Sequence, residues 1–152
     1  MKILLAIDGS SCSDAAVRDV ANKPWPTGSE VKIVSVVEPA MLPAVESWVP
    51  PEDYIEPLER AGDDQAREIV NKAATRVRQE QGSRLRVSTE IVRGHPRQAI
   101  IDEADACESD LIVVGSHGYQ GLTRLWLGSV SQAVASHAKC SVEIVRNRMV
   151  GA

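Results

Sequence analysis

Residues 110–131 read DLIVVGSHGYQGLTRLWLGSVS. An apolar run leads in, four glycines follow within fourteen positions (Gly115, Gly118, Gly121 and Gly128), and a helical pattern leads out. A strand that passes through glycines into a helix is one half of a parallel α/β unit, and such a turn suits a phosphate. Glycine turns tightly and lets the backbone approach a bulky anion with no Cβ in the way. Successive N–H groups then form an anion nest. Gly128 and Ser129 fall in the first turn of the outgoing helix, where free N–H groups and the dipole favour an anion, and Ser129 adds a hydroxyl. The pattern is neither GxGxxG nor GxxxxGK(S/T), so those two phosphate mechanisms are excluded. With no lysine in the loop, positive charge has to come from a divalent cation, His117 or Arg124. The plainer reading of Gly115 and Gly118 is a tight strand-to-loop turn.

Upstream, the strand-then-helix order repeats. KILLAI (2–7) is a continuous apolar run, as expected of a strand covered on both faces. Asp8-Gly9-Ser10 turns away from it, as an Asx-turn, as a ligand-facing aspartate, or as both. Ser11 and Asp14 have capping-box spacing for a helix carrying Ala15, Ala16, Val17, Val20 and Ala21, which Pro24 and Pro26 end. VKIVSVV (31–37) is a second strand. Segment 38–54 is irregular, holds four prolines, and carries many apolar side chains for a loop: Met41, Leu42, Val45, Trp48 and Val49. It reads as a flap over a ligand, a docking surface, or a loop folded on the protein's own flank.

The next helix is placed from Pro57, as a first-turn proline, to Gln81. LRVSTEIV (85–92) is a third strand and Pro96 opens a third helix. DLIVVG (110–115) is the fourth strand, and the last helix shows Leu127, Val130, Val134 and Ala138 on one side. SVEIVR (141–146) is the fifth strand and 147–152 a frayed tail. The alternation implies one doubly wound domain, residues 1–152, with a parallel sheet and helices on both faces, because right-handed crossovers cover the sheet.

Composition narrows the function. A net charge of −4 argues against non-specific nucleic-acid binding, which needs a basic surface. The one basic cluster, Arg76, Arg78, Arg84 and Arg86, reads as a solvated helix end. Cys12, Cys107 and Cys140 are far apart and offer no CxxC, so neither a zinc knuckle nor a thioredoxin-type motif is present. Cys12, near a helix N-terminus, is either a thiol of lowered pKa or a small buried apolar group. His137 suits a structural place at a helix C-terminus. No apolar stretch approaches the roughly 18 residues of a membrane span and no leader pattern opens the chain, so a cytoplasmic protein with no membrane partner is expected.

Gly115-Ser116-His117-Gly118, nine residues, then Gly128-Ser129 resembles the GxxGx9G(S/T) signature of the ATP-binding universal stress proteins. KILLAIDGS, VVE at the end of the second strand, GHP after the third and SVEIV at the close sit where that family has its elements. The resemblance covers nearly the whole chain, segment 38–54 least. It implies an adenine nucleotide alpha hydrolase-like fold, a five-stranded parallel sheet of order 3-2-1-4-5, which sets Asp8 beside Gly115 at the switch point. It also implies site residues. Asp8 and Val36 would hold the adenosine end of ATP, and Gly115, Gly118, Gly128 and Ser129 its ribose and phosphates, with His117 and Val130 in the same stretch. Magnesium or manganese would accompany the nucleotide. The family resemblance further implies a homodimer through strand 141–146, a short apolar edge of the kind that invites pairing unless the tail covers it.

Two functions follow. The first is a nucleotide-dependent regulator in a stress response, whose occupancy sets loops 116–124 and 38–54 for a protein partner to read. The second is a slow metal-dependent ATPase or phosphotransferase, with Asp8, His117 and Arg124 as its parts. Phosphoryl transfer needs metal, positive charge at the γ-phosphate and an oriented nucleophile. The sequence offers no evident base, so weak or absent turnover is expected. Adenylating enzymes on related sheets use SGGxDS after the first strand, and DGSSCSD here sets them aside.

Overall fold

The computed structural model describes residues 1–40, 50–118 and 126–147. Met41, Leu42, Val45, Trp48 and Val49, the loop residues Gly121 and Arg124, and 148–152 lie outside the described residues. Among the described ones the order is β1 (Lys2–Ala6), α1 (Ser11–Asn22), β2 (Glu30–Val37), α2 (Glu52–Gln81), β3 (Arg86–Arg93), α3 (Pro96–Ala106), β4 (Leu111–Gly115), α4 (Ser129–His137) and β5 (Ser141–Val145). All strand pairs are parallel, in the order β3-β2-β1-β4-β5. This is the doubly wound five-stranded sheet that the sequence implied.

The continuous apolar runs have a two-sided purpose. Side chains alternate across a strand, so Ile3, Leu5 and Ile7 enter one core while Leu4 and Ala6 enter the other. The first core joins β1, β2 and β4 to Val17 and Val20 of α1 and Val70 and Val77 of α2. The second joins Val34, Ile112 and Val114 to Ile100 and Ala104 of α3 and Val134 of α4. Leu4, Leu5, Ile33 and Ile112 have no exposed surface, and each such side chain contributes roughly 1.5–3 kcal/mol by leaving water. Gln81, at the end of α2, donates to the carbonyls of Ala21 (2.7 Å) and Lys23 (2.9 Å) and so closes the end of α1.

Three local expectations are corrected. The cap of α1 is Ser10, not Ser11: its Oγ accepts from the Ser13 N–H at 3.3 Å. Only Ser10 has the extended backbone that an N-cap needs, and Ser11 is already helical. Helix α2 begins at Glu52, so Pro57 lies inside it. That close to the start, the missing N–H removes a single helical bond, beside four N–H groups that have no helical partner in any case. Helix α4 begins at Ser129, so Leu127 precedes it and Ala138 is its C-cap. His137 has the structural role expected, with Nδ1 2.9 Å from the Ala133 carbonyl. Arg78 donates to the Val87 carbonyl and Arg86 pairs with Glu30, in keeping with a solvated cluster. Among the described residues no helix is long and apolar enough to cross a membrane.

Candidate functional site

The site grows from the neighbouring ends of β1 and β4, which pair with Ala6 opposite Val114. Past β1, Gly9 takes φ of +81°, a left-handed conformation that favours glycine. This turn lets Asp8 Oδ1 accept from the Ser10 N–H at 2.9 Å. Asp8 is therefore in an Asx-turn, yet the residue stays exposed and its other oxygen is not used by the turn. That oxygen lies over the glycine loop: a Cβ placed on Gly118 would stand 2.7 Å from Asp8 Oδ2.

Past β4, the chain is pinned on every side. A Cβ on Gly115 would stand 2.7–2.9 Å from the backbone of Cys12 and Ser13, so Gly115 is what lets β4 close against the start of α1. The Ser116 N–H donates to the Val145 carbonyl and its carbonyl accepts from the Gly128 N–H, both at 2.8 Å. The Ser131 hydroxyl donates to the same Ser116 carbonyl at 2.9 Å. The Ser10 hydroxyl donates to the His117 carbonyl at 3.3 Å. The two ends of the glycine loop are thus tied to each other and to the β1–α1 turn.

Above these ties, the N-cap of α4 is Gly128, which has no side chain to cap the helix, and among the described residues no other side chain does so. Its first N–H groups are therefore available to an anion. The Ser116 hydroxyl, with one proton to give, stands between Cys12 Sγ (3.5 Å) and His117 Nδ1 (3.1 Å). Burial pushes the Cys12 thiol up, but hydrogen bonds from Ser116 and from the backbone of Asn147 and His117 outweigh it and hold its pKa below the usual value.

All of this surrounds one cavity of about 750 Å³, within the size range of small-molecule sites. Ala6, Val34, Val36, Ile100, Val114 and Val130 give it an apolar floor. The sequence-derived residues Asp8, Val36, Gly115, His117, Gly118, Gly128, Ser129 and Val130 all line it. The sequence reading missed Glu38, His95, Arg97 and Trp126, which line it too. Trp126 is 74% exposed at the lip. Its one signal was an aromatic beside Gly128-Ser129 in a chain poor in aromatics. His95 and Arg97 arrive because α3 also starts at this end of the sheet. Among the described residues no group of three or more His, Cys, Asp or Glu is placed to hold a metal ion. The donor set fits a cation that arrives with phosphates and keeps much of its water, needing one or two carboxylates from the protein.

The chain matches the model of the universal stress protein family over residues 1–146. It belongs to that family. A universal stress protein of Methanocaldococcus jannaschii is 33% identical over 148 residues, which are 95% of this chain and 81% of that protein. Among solved structures, UspA from Lactobacillus plantarum is 25% identical with a TM-score of 0.76, covering 96% of this chain and 97% of the other. A universal stress protein from Archaeoglobus fulgidus, solved in complex with dAMP, shares the fold at 24% identity and a TM-score of 0.63, covering 95% and 97%.

Proposed function

We propose that the chain binds an adenine nucleotide, ATP with magnesium or manganese, in this cavity and acts as a nucleotide-dependent regulator of a stress response. The observation that carries the reading is the meeting of Asp8, Gly118 and the uncapped start of α4 at the mouth of one apolar-floored cavity. The base lies on the Val34–Val36 side of the floor. Asp8 accepts from a ribose hydroxyl or touches the metal. The phosphates meet the N–H groups at Ser129 and Val130, Gly128 lets them approach with no Cβ in the way, and His117 lies beside them. The cation supplies the remaining positive charge, which the loop's lack of lysine leaves open. That the Archaeoglobus relative of the same fold holds dAMP supports an adenine ligand.

Occupancy then sets the glycine loop for a protein partner to read. The chain pairs with a second copy through the β5 edge, the last strand of the sheet, and works in the cytoplasm. Calorimetric titration with ATP, ADP and AMP, with and without magnesium, tests the reading. Saturable one-to-one heat that requires Gly118 supports it; no heat from any adenine nucleotide ends it. Native mass spectrometry of freshly purified protein reads the retained nucleotide and the subunit count together.

A further inference from the structure

The nucleotide reading uses the α3–α4 side of the sheet and leaves a second cavity without a purpose. Between α1 and α2, on the opposite face, runs a groove of about 720 Å³. Its floor is apolar: Ile7, Val17, Ile69 and Ala73. Along its α2 wall, Glu68, Lys72, Arg76 and Glu80 follow one another at four-residue steps, so they share one helix face with charges ordered −, +, +, −. Intrahelical pairing would be the ordinary fate of such a row, yet neither cation takes it. Of the five lysines, Lys2, Lys23, Lys32 and Lys139 hold carboxylates, while Lys72 has no partner among the described residues. Arg76 has none among them either. Asp14 faces them from the first turn of α1, where the helix dipole already favours its charge.

The chemistry selects a class of ligand. An apolar floor takes a hydrocarbon or aromatic body. Two unpaired cations one turn apart take an anionic head. Glu68 and Glu80, one turn further out on each side, repel a long polyanion such as nucleic acid or polyphosphate but leave room for a compact head. We propose that this groove is a second ligand site, for a small amphipathic anion with a carboxylate or phosphate head. The site is also built to communicate. Ile7 and Ser13 line both cavities, so the β1–α1 turn is their common wall. The Ser13 N–H donates to Ser10 Oγ, and the Ser10 hydroxyl donates to the His117 carbonyl, which carries the wall into the glycine loop. A ligand in the groove therefore changes nucleotide affinity, and the nucleotide changes groove affinity by the same factor. This coupling rests on the nucleotide reading; the groove site itself does not.

The probe is anilinonaphthalene sulfonate, an apolar body with one anionic head, titrated by fluorescence against the whole chain with and without saturating ATP and magnesium. Circular dichroism checks that each variant is folded. The expected result is one-to-one binding that persists in ATP and weakens about tenfold or more in the K72A/R76A double variant. ATP affinity, read by calorimetry, stays unchanged in that variant without the probe and shifts when the probe is added. Decanoate and decyl phosphate compete with the probe, and the stronger competitor identifies the head. Probe affinity unaffected by the double variant, or probe displaced one-for-one by ATP, overturns the site. ATP affinity equal with and without the probe overturns the coupling. If ATP gives no heat while the probe still binds through Lys72 and Arg76, the nucleotide reading falls and the groove stands.

Discussion

Helices α1 and α4 leave neighbouring strands, β1 and β4, and start at the same end of the sheet. They begin in opposite ways. The start of α1 is capped from within: Ser10 Oγ accepts from the Ser13 N–H, and the Ser13 hydroxyl donates back to the Ser10 carbonyl at 3.0 Å. The start of α4 is a glycine whose own N–H is bound to Ser116, and among the described residues no side chain caps the amides that follow. Both helix dipoles point their positive ends at the same cavity region. Side chains already take the Ser10 and Ser13 N–H groups of α1, whereas among the described residues no side chain takes an N–H in the first turn of α4. The proposed function therefore puts the anion at α4, with the β1–α1 turn as the wall that carries Asp8.

The largest expected effect falls where the two starts touch. In Gly115→Ala the new Cβ meets the backbone of Cys12 and Ser13 at 2.7–2.9 Å, so strand or helix must move. Overpacking of this kind costs about 3 kcal/mol, or roughly 6–12 °C in melting temperature for a domain of this size. Thermal unfolding by circular dichroism reads it; an unchanged melting curve would break the packing account.

Gly118→Val separates the ligand role from the packing role. Among the described residues its Cβ meets only the Asp8 side chain, at 2.7 Å. Affinity for ATP should fall about 100-fold, or about 2.7 kcal/mol, with a melting temperature close to the parent's. Calorimetry and a melt on the same sample decide it, and a variant that loses stability but keeps ATP would reverse the assignment.

Ser10→Ala opens the start of α1. Loss of the cap costs about 1 kcal/mol, seen as a melting point lower by roughly 2–4 °C. Nucleotide affinity should change far less than in Gly118→Val.

The smallest effect is chemical. Burial pushes the thiols of Cys107 and Cys140 up, whereas the hydrogen bonds to Cys12 hold it down. The thiolate is the reactive form, so its fraction rises with pH earlier at Cys12 than at the other two. Iodoacetamide at neutral pH followed by mass spectrometry should label Cys12 first, and ATP should slow that labelling through Ser116 and His117. Equal labelling of all three would contradict the contacts drawn at this junction.

Much of this was legible before the coordinates. Runs such as KILLAI and DLIVVG are apolar without interruption because both faces of each strand are buried, and their alternation with helices fixes a parallel sheet. The glycine spacing pointed to Gly115, Gly118, Gly128 and Ser129, and the family resemblance added Asp8 and Val36; all six line the cavity. What was not legible depended on backbone angles or on tertiary placement. Ser10 and Ser11 are chemically equal, and only the extended backbone at Ser10 makes it the cap. Pro57 looked like a helix start because proline suits that position, but the helix already starts at Glu52 and carries Pro57 at the loss of one helical bond. Arg97, His95 and Glu38 reach the cavity only because β2 and α3 end and begin beside it, a fact of topology that no local spacing carries.

On the proposed function, the guest's negative charge sits on the start of α4 and not on that of α1. Amide chemical shifts recorded while ATP and magnesium are added to labelled protein test it most directly. Large, saturable shifts are expected at Ser129, Val130 and Ser131, with the amides of Ser13, Asp14 and Ala15 moving little. Shifts concentrated in the first turn of α1, with Ser129 to Ser131 unmoved, would contradict it.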